Sequence, residues 1–234
     1  MDECHATSDG SDHEATNAAA AAQAAGATVT LDKLRPLSEQ AIVPFVSAAE
    51  RLGISANAVT ATSVVTAAAA GYALVLAGSN QSVYLLASAL VLVTGFLDVL
   101  DGALARATDT ATDAGDFLDH VLDRYGDVLI LGGLAIGADQ YELGMLALTG
   151  VLLTAYLGTQ GDALGLGRIY GGLLGRADIL VLVGVVTAVA AVANPTLAYG
   201  FDLVDWTLVL LAVFTHVTAL QRFVWSWREL TAEP

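Results

Sequence analysis

Residues 98–127 read DVLDGALARATDTATDAGDFLDHVLDRYGD, and this acidic stretch sits between apolar runs. No Asp, Glu, Lys or Arg occurs over residues 82–97 or 128–137. Asp98 and Asp101 are three residues apart and Asp119 and Asp123 four apart, so each pair shares one helical face. Two such helices joined by a short loop bring four carboxylates together. An ionised carboxylate near hydrocarbon costs several kcal/mol if unpartnered, and a divalent cation offsets that cost. Oxygen-only donors favour a hard ion, Mg²⁺ with Mn²⁺ as an alternative. Gly102 leaves room for a ligand beside the acids, and Arg106 supplies a fixed charge suited to phosphate. A ring of acids lining a cation channel or transporter is the other reading of the same carboxylates.

Outward from this stretch the chain keeps one character. Of its 234 residues 56% are hydrophobic and only 14% charged, too little charge for an ordinary soluble domain of this size. A membrane span takes about 20 apolar residues. Six candidates follow one another at 58–77, 82–104, 117–137, 143–163, 178–193 and 204–225. The expected fold is therefore an all-α membrane protein with six transmembrane helices.

The nine basic residues test that count. Lys33, Arg35, Arg51, Arg106, Arg124, Arg168, Arg176, Arg222 and Arg228 all fall on one side of a six-span chain, or within about two helical turns of it. The opposite loops near Ser79, Asp139 and Pro195 carry none. By the positive-inside tendency the common side is cytoplasmic. The chain is expected in the cell membrane as a multi-pass protein, with its acidic site facing the cytoplasm.

The net charge of −15 is not spread evenly. Residues 1–27 form an acidic, then alanine-rich tail without apolar periodicity and are expected to be disordered. They lack the basic start and apolar core of a secretory signal. The single cysteine, Cys4, lies in this tail, so no disulfide framework is expected. Residues 28–234 form the membrane domain. It opens with an amphipathic segment at 31–52, whose Leu34, Leu37, Ile42, Phe45 and Val46 can lie in the membrane interface. One lysine against eight arginines, with abundant acid and alanine, fits a salt-adapted proteome.

Asp98, Asp101, Gly102, Ala105, Arg106, Gly115, Asp119 and Asp123 match the pattern D-x2-D-G-x2-A-R-x8-G-x3-D-x3-D at every fixed position. The chain thereby resembles the CDP-alcohol phosphotransferase family, whose members make phospholipids by displacing CMP from a CDP-linked alcohol. The resemblance runs from the amphipathic helix through the six spans. Ser55-Ala56-Asn57-Ala58-Val59-Thr60 is similar to the family's Pro-Asn-x-x-Thr lead into the first span, with Ala56 in place of proline.

The resemblance implies a metal held by Asp98, Asp101, Asp119 and Asp123, with Asp123 also serving as general base. It implies a CDP side formed by Asn57, Thr60, Gly102, Ala105, Arg106, Thr112 and Gly115. It implies CDP-linked lipid and a small alcohol as substrates, a homodimer, and no nucleic-acid partner. Asp116 and Asp127 share a face with Asp119 and Asp123 but lie outside the pattern, and supporting or solvated roles are expected of them. His120 and His216 are expected to pack rather than to ligate.

The acceptor is read from residues 156–178, where Arg168 and Arg176 can grip a phosphate or simply mark the cytoplasmic side. Family members that use inositol phosphate carry arginines where this chain has Gly158 and Gln160. The expectation is therefore glycerol phosphate, with inositol phosphate or serine as alternatives. If the host is archaeal, the lipid is CDP-archaeol and the product archaetidylglycerophosphate.

Overall fold

The computed structural model describes residues 35–167 and 171–232. The acidic tail with Cys4, the start of the amphipathic segment and Arg168 lie outside the described residues. Seven α-helices account for nearly everything described: α1 (Arg35–Arg51), α2 (Ala56–Ala77), α3 (Val83–Ala107), α4 (Asp113–Gly137), α5 (Tyr141–Ala163), α6 (Arg176–Val192) and α7 (Leu203–Thr231). The described residues contain no strand.

Four helices, α2, α3, α5 and α7, are long and apolar enough to cross a membrane. The other two expected spans fall on α4 and α6, which do not meet that standard unaided. The first half of α4 carries Asp113, Asp116, Asp119, Asp123, Arg124 and Asp127. With 17 residues, α6 is about 26 Å long against a hydrocarbon core of about 30 Å. Both are held by neighbours, α4 against α2 and α5, and α6 against α3 and α7.

Small residues let α2 and α4 approach backbone to backbone. A methyl group on Gly71 would run into the carbonyl of Leu129, and one on Gly133 into the backbone of Gly71. Gly78 and Gly137 meet in the same way one helical turn or more further along. Close approach of this kind replaces hydrophobic driving force where the surroundings are themselves apolar. Side-chain hydroxyls add links between helices, from Ser88 Oγ to the Gly184 carbonyl at 2.7 Å and from Thr154 Oγ1 to the Thr215 carbonyl at 2.9 Å. Large apolar side chains such as Leu85, Leu86, Val213 and Leu220 face outward, the pattern of a surface in contact with lipid.

The α1 helix docks on α2 and α3 through part of the apolar face expected of it. Ile42, Val46 and Ala49 are buried with Val59, Leu100 and Leu104. Phe45 stays half exposed and meets Phe96 edge-on, with ring centroids 4.9 Å apart. Helix α2 begins at Ala56, the first helical position, where proline is well tolerated. Alanine serves there because Ser55 caps the helix, its side chain accepting from the Ala58 amide at 3.3 Å.

Candidate active site

Residues of α3 to α7 line an open cavity of about 1280 Å³. The four signature acids stand on its wall, Asp98 and Asp101 from the last turns of α3 and Asp119 and Asp123 from the first turns of α4. Asp98, Asp119 and Asp123 each offer a carboxylate oxygen, and these oxygens all lie within 4.8 Å of one another. Asp101 is not in that trio but lies against it, with its Oδ2 buried and without a hydrogen-bond partner. Asp119 Oδ1 is orphaned in the same way. Buried carboxylate oxygens facing one another without donors are what a hard divalent cation satisfies, so the residues fit the expected metal.

The α3–α4 turn sets the spacing of the two acid pairs. Thr112 is extended and caps α4, its Oγ1 accepting from the Gly115 amide at 3.1 Å. A methyl group on Gly115 would sit 3.2 Å from that hydroxyl and 3.6 Å from Asn57 Oδ1. Thr60 donates to the Ala56 carbonyl at 3.1 Å and its hydroxyl also adjoins Asp101. Asn57, Thr60, Thr112 and Gly115 thus come together as supports of the acid-bearing turn. Of the residues expected on the nucleotide side, Gly102 and Arg106 line the cavity, whereas Ala105 is half-buried in α3 and off its wall. The Arg106 guanidinium folds over Gly102, where a methyl group would lie 3.3 Å from Nη1.

Arg176 occupies a position that sequence spacing did not reveal. It is the first residue of α6, and its guanidinium reaches Asp98 Oδ1 at 2.5 Å, Asp123 Oδ1 at 2.9 Å and Asp127 Oδ1 at 3.1 Å. Asp127 is 4% exposed and also meets Arg124 Nη1 at 3.1 Å. Asp116 stands at the cavity's exposed edge beside His120. The two histidines bond to backbone carbonyls one turn back, His120 Nδ1 to Asp116 and His216 Nδ1 to Ala212.

Arg222 of α7 lines the same cavity as the acids. Its Nε donates to the Gly171 carbonyl at 2.9 Å and its Nη1 to the Thr154 carbonyl at 2.8 Å. No carboxylate among the described residues lies within ion-pairing distance of it. A half-buried guanidinium satisfied on its back by carbonyls keeps its charge for an anion. In the sequence Arg222 reads only as positive-inside charge.

The acids converge at one end of a bundle in which four helices are long and apolar enough to cross a membrane. The sequence profile of the CDP-alcohol phosphatidyltransferases matches residues 53–218. The archaetidylinositol phosphate synthase of Methanothermobacter thermautotrophicus is 32% identical, the match covering 86% of this chain and 95% of that protein. That of Pyrococcus horikoshii is 30% identical over 82% of this chain and 94% of its own. The fold is that of Mycobacterium tuberculosis phosphatidylinositol phosphate synthase. Its structure in complex with manganese and citrate has a TM-score of 0.66 at 23% identity, covering 80% of this chain and 88% of that one. The same enzyme with CDP-DAG bound gives a TM-score of 0.65 at 24% identity, covering 80% and 93%. The chain belongs to the CDP-alcohol phosphatidyltransferase family and is an all-helical membrane transferase of phospholipid synthesis.

Proposed function

We propose that the chain transfers an archaetidyl group from CDP-archaeol to inositol phosphate, releasing CMP. This reading replaces the glycerol phosphate expected from Gly158 and Gln160. The observation that carries it is Arg222, a guanidinium that lines the same cavity as the acids and is held there by backbone carbonyls, where a phosphate on the acceptor can be gripped. It supplies from α7 the charge that α5 lacks. Arg168 and Arg176 remain assigned to the acceptor side, and Arg176 adjoins the acids directly. The archaetidylinositol phosphate synthases among the relatives, matched over nearly their whole length, support both the acceptor and the lipid.

The signature acids would hold Mg²⁺ or Mn²⁺, which would supply charge neutralisation for the pyrophosphate and departing CMP. Arg106 lies along the nucleotide phosphates beside Gly102. Asp123 takes the proton from the acceptor hydroxyl. The acceptor oxygen then forms a bond to the β-phosphorus as the bond from that phosphorus to the CMP oxygen breaks. Proton, phosphodiester and CMP account for every atom. Six spans with the site on the cytoplasmic side fit the placement of Arg51, Arg106, Arg124, Arg176, Arg222 and Arg228. A homodimer belongs to the same reading and is checked by light scattering in detergent.

The test is an acceptor screen. Purified protein with CDP-archaeol or CDP-diacylglycerol and Mg²⁺ is offered inositol phosphate, glycerol phosphate or serine, and CMP is measured. Release with inositol phosphate and CDP-archaeol is expected. Release with glycerol phosphate or serine alone overturns the acceptor, and preference for CDP-diacylglycerol overturns the lipid.

A further inference from the structure

Arg176 and a cation share ligands. Its Nη1 and Nη2 form ion pairs with Oδ1 of Asp98 and of Asp123, two of the three acids whose oxygens converge within 4.8 Å. A carboxylate has two oxygens and about four acceptor positions, so one acid accommodates a guanidinium and a metal ion together. What holds the guanidinium is a fourth acid that the signature omits. Nε of Arg176 bonds Asp127 Oδ1 at 3.1 Å, and Asp127 is almost fully buried one turn beyond Asp123. The guanidinium passes close to the Gly126 backbone, where a Cβ would lie 3.6 Å from Arg176 Nη2, an ordinary van der Waals contact. The arginine is therefore gripped by all three of its nitrogens on carboxylates from two helices, while its own backbone starts a third.

We infer that Asp127 and Arg176 form a positioning bridge that sets the rotamers of Asp98 and Asp123 for the cation and ties the start of α6 to it. The bridge rests on the metal reading given above. Outer partners of this kind orient ligating carboxylates, and their loss weakens metal affinity by about 10- to 100-fold. Asp127 thus acts through Arg176, and Arg176 through the two ligands. Paired with Asp127, the guanidinium adds little net charge beside the cation.

The experiment titrates full-length protein in detergent with Mn²⁺, following free and bound ion by electron paramagnetic resonance. Asp127→Asn keeps shape but loses charge. Arg176→Lys keeps charge but replaces a three-pronged grip with a point contact. Both are expected to raise the Mn²⁺ Kd about tenfold or more and to alter the spectrum of the bound ion. A thermal midpoint measured without metal reports folding separately. Asp119→Asn, a ligand not bonded to Arg176, tests the metal reading itself and is expected to lose the ion. Wild-type Kd and bound-ion spectrum in both bridge variants, with Asp119→Asn impaired, overturn the bridge alone. Tighter binding in the bridge variants overturns it too, because the guanidinium would then be the cation's competitor. Undiminished binding in Asp119→Asn overturns the metal reading and the bridge with it.

Discussion

Arg222 Nη1 donates to the carbonyl oxygen of Thr154 at 2.8 Å, across 68 residues of sequence. With the Gly171 carbonyl on Nε, this fixes the guanidinium without neutralising it. Removing it takes one charge-assisted contact from the acceptor phosphate, a loss of about 1.5–3 kcal/mol. Arg222→Ala is expected to raise the acceptor KM about 10- to 100-fold while leaving the CDP-lipid KM near wild type. Steady-state kinetics with each substrate varied in turn make the separation. An equal rise in both constants would mean that the cavity had collapsed.

Asp123→Asn is expected to lower kcat by at least about 100-fold, the range for loss of a general base. The same variant should keep its elution volume in detergent and its helical content. A kcat near wild type would take Asp123 out of the proton transfer.

Chelation with EDTA is expected to stop CMP release, and Mg²⁺ or Mn²⁺ to restore it. The orphaned oxygens of Asp101 and Asp119 give the physical reason, since no donor of the protein replaces the ion there. Activity that survives exhaustive chelation would contradict the site.

Gly102→Val pushes the Arg106 guanidinium off its seat, because even a methyl group at that position comes within 3.3 Å of Nη1. The expected result is a CDP-lipid KM raised about tenfold, with Mn²⁺ binding unchanged. A larger effect on Mn²⁺ than on CDP-lipid would place Gly102 with the acids instead.

Gly71→Leu tests the α2–α4 contact. The new side chain meets the backbone of residue 129, which has no flexible end to yield. Overpacking there is expected to destabilise by about 3 kcal/mol or more, read as a lower thermal midpoint in detergent. An unchanged midpoint would mean that the helices are not in backbone contact.

What the sequence made legible was local. Asp98 with Asp101 and Asp119 with Asp123 declare themselves by helical spacing, and the face of α1 that buries Ile42 and Val46 does so too. Apolar length revealed α2, α3, α5 and α7, whereas α4 and α6 needed the placement of basic residues, because acids and shortness hide them. The engagement of Arg176 with Asp127 spans 49 residues, and no periodicity reports a pair that distant. The acceptor was hard to read for the same reason. Counting arginines at positions 158 and 160 looked along one helix, while α7 also brings a guanidinium, that of Arg222, to the cavity.

Thr218 accepts hydrogen bonds from the amides of Leu173 and Leu174 at 3.1 and 3.2 Å. The segment leading to Arg176 is therefore fastened to α7, whereas the acids belong to α3 and α4. Arg176 bridges the two, its guanidinium on Asp98, Asp123 and Asp127 and its lead-in on Thr218. A shift of α7 that moves Thr218 would therefore be handed on to the acids through that short segment.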